Sequence, residues 1–241
     1  MKVTYIYHSC YLLEFEGFSV LFDFYEDAKR ADGKMWIEDY LLNKPEDLYV
    51  LVTHSHGDHY TPEIFDWKSR KSNIHYILSK EVAEVHSLPN DVEISLLGIL
   101  ETYKDDNIAV RAYGSTDVGG SFCVQANGKK YFHAGDLNNW HWNEEVSNIE
   151  AMGYENNYLC ELELFAEHTN QVFLAMFPID PRLGHDYMKG AEQFVDRVSV
   201  DYLLPMHFGE NYEKANAFEN YARLQNCHYL AINNKGESFN L

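Results

Sequence analysis

Short apolar runs closed by turn-forming residues dominate the first half of the chain. Val3 to His8 and Tyr11 to Phe15 read as a hairpin, and Phe18 to Phe24 (FSVLFDF) as a third strand set off by Gly17. Leu48 to Thr53 (LYVLVT) is β-rich and apolar and runs directly into a cluster of histidines. Further strands are expected at Ile74 to Leu78, Val92 to Leu97, Ile108 to Tyr113, Ser121 to Ala126 and Lys130 to His133. Thr61-Pro62-Glu63 marks a helix start, a capping residue followed by proline in the first turn. Ser79 to His86 reads as a short helix, and Asn143 to Thr169 as a long one broken at Gly153. The remainder alternates: strand 172–177, helix 186–198, strand 201–205, helix 214–225, strand 228–232. Strands first, then strands alternating with helices, predict an α/β chain of two sheets packed face to face with helices outside. No repeat, low-complexity run or Pro/Gly/Ser linker interrupts it, so residues 1–241 are expected to form a single domain.

Bulk composition changes this picture little. Apolar residues make up 46% of the 241, and charged residues 24%, as in an ordinary globular protein. Aromatics reach 15%, with 18 Tyr and 14 Phe, which predicts a ring-rich core or cleft. Charge says more. Lys and Arg number 19 against 38 Asp and Glu, a net charge of −19. Such a chain repels phosphate backbones and anionic membranes, so a small-molecule substrate is expected and nucleic acid is not. No apolar run approaches the ~18 residues of a membrane span, and the start Met-Lys-Val-Thr-Tyr-Ile-Tyr-His is too short and polar for a secretory signal. Cys10, Cys123, Cys160 and Cys227 are scattered without a C-x-x-C, which fits reduced thiols at or near the core and a cytoplasmic location.

The chemistry concentrates after the strand at 48–53. His54, His56, Asp58 and His59 fall within six residues. Neutral imidazoles and a carboxylate suit zinc, manganese or iron. Four donors so close in sequence cannot easily reach one ion, and point to two adjacent ions holding and activating a water. Asp136 follows the strand Lys130 to His133, and His207 follows Tyr-Leu-Leu-Pro-Met, so both project from strand ends. Each alone reads as a turn aspartate or a buried histidine. The order H-x-H-x-D-H, Asp, His changes that weighing.

With these residues in hand the chain resembles the metallo-β-lactamase superfamily almost end to end. Phe22-Asp23 looks like the family's early aspartate, His54 to His59 like its signature motif, Gly135-Asp136 like its bridging aspartate, and Pro205-Met206-His207-Phe208-Gly209 like its final histidine. The start Tyr-Ile-Tyr-His8-Ser-Cys-Tyr-Leu-Leu-Glu resembles the branch of ascorbate-6-phosphate lactonase-like hydrolases. The resemblance implies a four-layer αββα sandwich with the site at one edge. It implies a divalent metal, zinc foremost with manganese, iron or nickel as alternatives, as one or two ions. It implies hydrolysis of a small ester, lactone or phosphodiester by a metal-bound hydroxide. The ligands would be His54, His56, Asp58, His59, Asp136 and His207. Asp58 or Asp136 would orient the hydroxide and pass a proton to the leaving group. Asp23 would hydrogen-bond the metal loop, and His8 would stand beside the metals or the substrate.

The family's middle histidine is absent. Its place reads Tyr113-Gly114-Ser115-Thr116-Asp117, so the ion of His54 and His56 lacks a third protein nitrogen. Asp117 is one candidate to fill the position and His141, between Trp140 and Trp142, is the other. With neither, one metal at Asp58, His59, Asp136 and His207 would suffice. His185 and Arg182 are expected in helix-capping and surface ion-pair roles. Two further readings stay open: an RNA-processing phosphodiesterase, against which the charge argues, and a non-catalytic metal-binding protein with a degenerate site. Di-iron oxidoreductase chemistry would normally need a flavin partner domain.

Overall fold

The computed structural model describes residues 1–241. They group into two compact units, residues 1–98 with 233–241, and residues 99–232. Each is built on one seven-stranded sheet.

In the first unit, β1 (Lys2–Tyr7), β2 (Cys10–Glu14), β3 (Phe18–Phe22), β4 (Asp47–Val52), β5 (Ile74–Ser79) and β6 (Ile94–Leu97) lie side by side in chain order. A final strand, Ser238–Asn240, pairs with the outer edge of β1. β1 to β3 are antiparallel neighbours; β3 to β6 run parallel. Parallel strands covered on both faces read as unbroken apolar runs. This is why FSVLF and DLYVLV carry almost no polar residue: every residue of β3, and all but the first of β4, is buried. The short helix α1 (Lys80–Val85) follows β5, capped by the Ser79 hydroxyl accepting from Glu81 N–H.

The second unit holds β7 (Thr102–Lys104), β8 (Ala109–Tyr113), β9 (Ser121–Ala126), β10 (Lys129–His133), β11 (Gln171–Pro178), β12 (Ser199–Met206) and β13 (His228–Tyr229), again in chain order across the sheet. β7 to β10 are antiparallel and β10 to β13 parallel. Helices α2 (Asn148–His168), α3 (Lys189–Arg197), α4 (Tyr212–Asn216) and α5 (Glu219–Leu224) complete it. A ladder of rings joins helix to sheet: Phe132 of β10 lies 4.2 Å from Phe165 of α2, and Phe177 of β11 lies 4.6 Å from Phe194 of α3.

Several expectations need correction. The strand begun at Phe18 stops at Phe22, because Asp23 turns into the left-handed region with φ +44°. The long helix is unbroken at Gly153, which is exposed with no atom crowding it. It starts at Asn148, where Ser147 and Glu150 form a reciprocal capping box. The helix expected over 214–225 is two short ones, α4 and α5. β7 and the strand Ser238–Asn240 carry too few apolar residues to stand out in the sequence. Three cysteines are buried, but Cys160 is exposed on α2. No helix is long and apolar enough to cross a membrane.

Candidate metal centre

The parallel pair β3 and β4 sets up the donors of the first unit. Phe22 pairs with Leu51, and Asp23 N–H continues the ladder to Leu51 C=O at 2.9 Å, so the next residues of both strands emerge together. Asp23, fully buried, then accepts from Thr53 N–H at 2.8 Å, from the Thr53 hydroxyl at 2.6 Å and from His59 Nδ1 at 2.8 Å. The Thr53 hydroxyl has one proton, and Asp23 takes it. Its oxygen therefore accepts from His54 Nδ1, 3.0 Å away. One carboxylate thus fixes two imidazoles, and in both the lone pair sits on Nε2. Their ring centroids are 4.0 Å apart. His56, exposed, brings a ring nitrogen within 4.8 Å of one on His54, and donor atoms of His8, Asp58 and His59 also lie within 4.8 Å of one another. The loop between them is pinned by Glu81 of α1, which accepts from Ser55 N–H at 2.9 Å and from its hydroxyl at 2.5 Å.

The second unit draws its donors from several strand ends instead. β10, β11 and β12 are adjacent and parallel, and just past their ends stand Asp136, Asp180 and His207. The carboxyl ends of parallel strands are where such sheets place ligands. His207 Nδ1 lies 2.9 Å from Asp180 Oδ2 and 3.2 Å from Arg182 Nη2. Arginine can only donate and the carboxylate only accept, so the shorter contact puts the proton on Nδ1 and the lone pair on Nε2. Burial pushes the Asp180 carboxyl up, but hydrogen bonds from His207 and Arg182 outweigh it and hold it down at about 2. His207 Nε2 then faces Asp136 Oδ1 at 3.4 Å. Asp117 follows β8, and one of its carboxylate oxygens lies within 4.8 Å of one on Asp136. Thr116 ties the two loops: its hydroxyl contacts Asp136 C=O at 3.2 Å and Asn138 C=O at 2.6 Å, and accepts from Asn138 N–H at 3.0 Å.

The donor chemistry of each half suits a divalent cation. A lone-pair nitrogen facing a carboxylate oxygen, as in His207 with Asp136 at 3.4 Å, is repulsive without a cation or proton between them, and His8 Nε2 stands 3.3 Å from Asp58 Oδ2. Imidazole Nε2 with carboxylate oxygen, His59 and His207 each backed by a buried aspartate, is the donor set of a histidine–carboxylate metal site. Backbone strain marks the same residues. Of the seven non-glycine residues with positive φ, three are His8 (+54°), Asp23 (+44°) and His207 (+65°); such strain collects at functional sites.

His141 is placed differently. It is buried, its Nδ1 accepts from Asn143 N–H at 3.1 Å and closes a local turn, and its Nε2 lies 3.1 Å from Asp186 C=O, tying that turn to a distant segment. Trp140, beside it, caps the His207 ring edge-on at 5.4 Å and donates its indole N–H to Asp136 C=O at 2.8 Å. Gly114 lies in the stretch 113–117 where the resemblance places the absent histidine, and a side chain built there runs into the carboxylate of Glu161 on α2. Burial raises that carboxyl, and its Oε2 has no hydrogen-bond partner. His185 is exposed and hydrogen-bonded to Glu144, and Arg182 pairs with Asp180.

Thr53, Glu81, Thr116 and Asp180 were not singled out by the sequence. Asp180 had a readable signal, since it ends a strand between two others that end in candidate ligands. The rest act through backbone register.

Comparison with known proteins accounts for this layout. The model of the beta-lactamase superfamily domain matches residues 2–152. A metal-dependent hydrolase of Nanoarchaeum equitans, of the UPF0173 group, is 25% identical over 222 residues, 86% of this chain and 84% of the relative. Among solved structures, a metallo hydrolase of the archaeon Ignicoccus hospitalis matches with TM-score 0.66 at 19% identity, over 100% of this chain and 98% of that one. The diiron beta-hydroxylase CmlA of Streptomyces venezuelae matches with TM-score 0.65 at 13% identity, over 100% of this chain and 54% of that one. These likenesses give the expected α/β fold class, and with the family match over more than half its length the chain is a member of the metallo-β-lactamase superfamily.

Proposed function

We propose that the chain is a metal-dependent hydrolase of a small ester, lactone or phosphodiester, working as one metallo-β-lactamase-like domain. The resemblance implies Asp58, His59, Asp136 and His207 as ligands of one ion and His54 and His56 as ligands of a second, where Asp117 would stand in for the absent middle histidine. The observation that carries this reading is the pair of buried aspartates, Asp23 and Asp180, each holding an imidazole in the tautomer a metal needs. Asp117 is favoured over His141 because both nitrogens of His141 already have partners, Asn143 N–H and Asp186 C=O. The UPF0173 relative, named a metal-dependent hydrolase, agrees with this class of chemistry.

A bound divalent metal, zinc foremost, supplies an activated water and polarises the bond that is attacked. The chain's own residues do the rest. Asp23 and Asp180 keep His54, His59 and His207 oriented. Asp136, fixed through its backbone by Thr116 and Trp140, and Asp58, 46% exposed beside His8, are the carboxylates placed to accept a proton from water and return it to the leaving group. The Trp140 ring shields His207 from solvent.

Metal analysis of the purified protein should find bound divalent ions, and turnover should appear on a lactone panel, on bis(p-nitrophenyl) phosphate, or on both. Asp136→Ala should reduce turnover to background while leaving the circular dichroism spectrum unchanged. Full activity in Asp136→Ala at stoichiometric metal would sink the assignment. A metal-free, inactive protein would favour a degenerate scaffold, and activity confined to RNA a processing enzyme.

A further inference from the structure

The face of the second sheet that α2 packs on carries an apolar half and a cationic half. Phe132 and Tyr113 lie under α2, where Phe165 meets them at 4.2 Å and 4.9 Å. The strand registers carry the same face onward: Cys123 lies opposite both Phe132 and Arg111, and Gln125 opposite Lys130. α2 ends at His168, so it covers only the first half. Past its end the face opens into a cavity of about 250 Å³ lined by Arg111, Tyr113, Cys123, Gln125, Lys130 and Thr169, among others, none of them acidic.

Two cations there lack carboxylate partners, in a chain with twice as many acidic as basic residues. Arg111 Nε is buried with no hydrogen-bond partner, and the guanidinium lies 5.7 Å from the Tyr113 ring centre. Lys130 Nζ donates to Thr169 Oγ1 at 3.3 Å, and the Tyr113 hydroxyl lies 3.2 Å from that oxygen. A buried guanidinium N–H without an acceptor is costly, and an anion relieves it. The thiol in the floor does not compete for that role. Burial pushes Cys123 up to about 12, against the lowering effects of Lys130, Thr169 and Arg111, so it stays neutral.

We propose that this cleft is an anion site that takes one phosphate-type group, bound by Arg111 and Lys130 with Tyr113 and Thr169 beside them. Arginine presents a planar fork to such oxygens and lysine a point charge. A cavity of this size accepts a free ion or the phosphate end of a small ester. The site lies on β8, β9 and β10, and is independent of the hydrolase reading.

The test is calorimetric titration of the whole protein with inorganic phosphate. The wild type should bind one phosphate per chain at millimolar concentration or below. Arg111→Gln and Lys130→Gln should each weaken binding about tenfold or more, the loss of one charge-assisted hydrogen bond, while Lys130→Arg retains it. Asp136→Ala should bind phosphate normally, which separates this site from the candidate metal centre. A parallel titration with methyl phosphate, one oxygen blocked, tells a free-ion site from an ester site. Absence of saturable binding by the wild type overturns the proposal. So does binding unchanged in a folded Arg111→Gln, or binding lost in Asp136→Ala but kept in Arg111→Gln.

Discussion

The two units hold their candidate ligands by opposite strategies. The first concentrates four donors in six residues, His54 to His59, and steers two of them with one buried carboxylate, Asp23. The second spreads Asp117, Asp136 and His207 over the ends of β8, β10 and β12, and steers its one imidazole with Asp180 from β11. Concentration makes one residue answer for much of a site. Dispersal shares the task among strand registers and a loop rivet at Thr116.

The sharpest way to break that contrast is to remove the two steering carboxylates in turn. Asp23→Asn should be the more damaging. It places an amide N–H₂ among three donors, Thr53 N–H, the Thr53 hydroxyl and His59 Nδ1–H, in a fully buried spot. The cost should be about 2 kcal/mol in a urea titration, and metal affinity should fall by about 10–100-fold at both ions. Asp180→Asn should weaken only one ion by a similar factor, with a smaller loss of stability, because its partner Arg182 is 63% exposed and can turn to water. Equal loss at both ions in Asp180→Asn would erase the distinction.

Acid probes the Asp180 side of the contrast. Asp180 titrates at about 2, below the ordinary aspartate value. A carboxyl lowered on folding contributes stability that is present above about pH 4 and lost as pH falls toward 2. In chelator-treated protein this is worth on the order of 2 kcal/mol. Wild type should therefore lose that much more stability than Asp180→Asn between those pH values, read from urea midpoints. Parallel acid curves would remove Asp180 from the steering role.

A smaller effect sharpens the comparison from the side of the second ion. Asp117→Asn should lower bound metal from two ions per chain to one, while His141→Ala should leave the count unchanged and lower only thermal stability. The reverse result would exchange their roles.

What could be read from the sequence follows the same division. A contiguous cluster after an apolar strand is visible as a string, so His54 to His59 stood out at once. Asp136 and His207 stood out only through their order in the chain, since each alone is ordinary at a strand end. Thr53 and Thr116 acquire meaning only from strand register and loop contact, whereas Asp180 carried a signal, following β11, which lies between the strands of Asp136 and His207. Fold errors share that cause. Gly153 looks like a helix breaker, yet the helix runs straight through it, and Phe24 looks like strand, yet the ladder ends at Asp23 N–H, where the backbone turns to φ +44° and the carboxylate takes up Thr53.

Gly114 and Glu161 place a coupled constraint on this layout. With the Glu161 carboxylate filling the space above Gly114, a histidine introduced at 114 meets an occupied position. The same histidine in a chain already changed to Glu161→Ala meets an open one. That carboxylate is the far end of a flexible side chain, so a histidine at 114 requires Glu161 to turn aside, and Glu161→Ala removes the need for that turn. The two residues, 47 positions apart in the chain, are coupled through that one space.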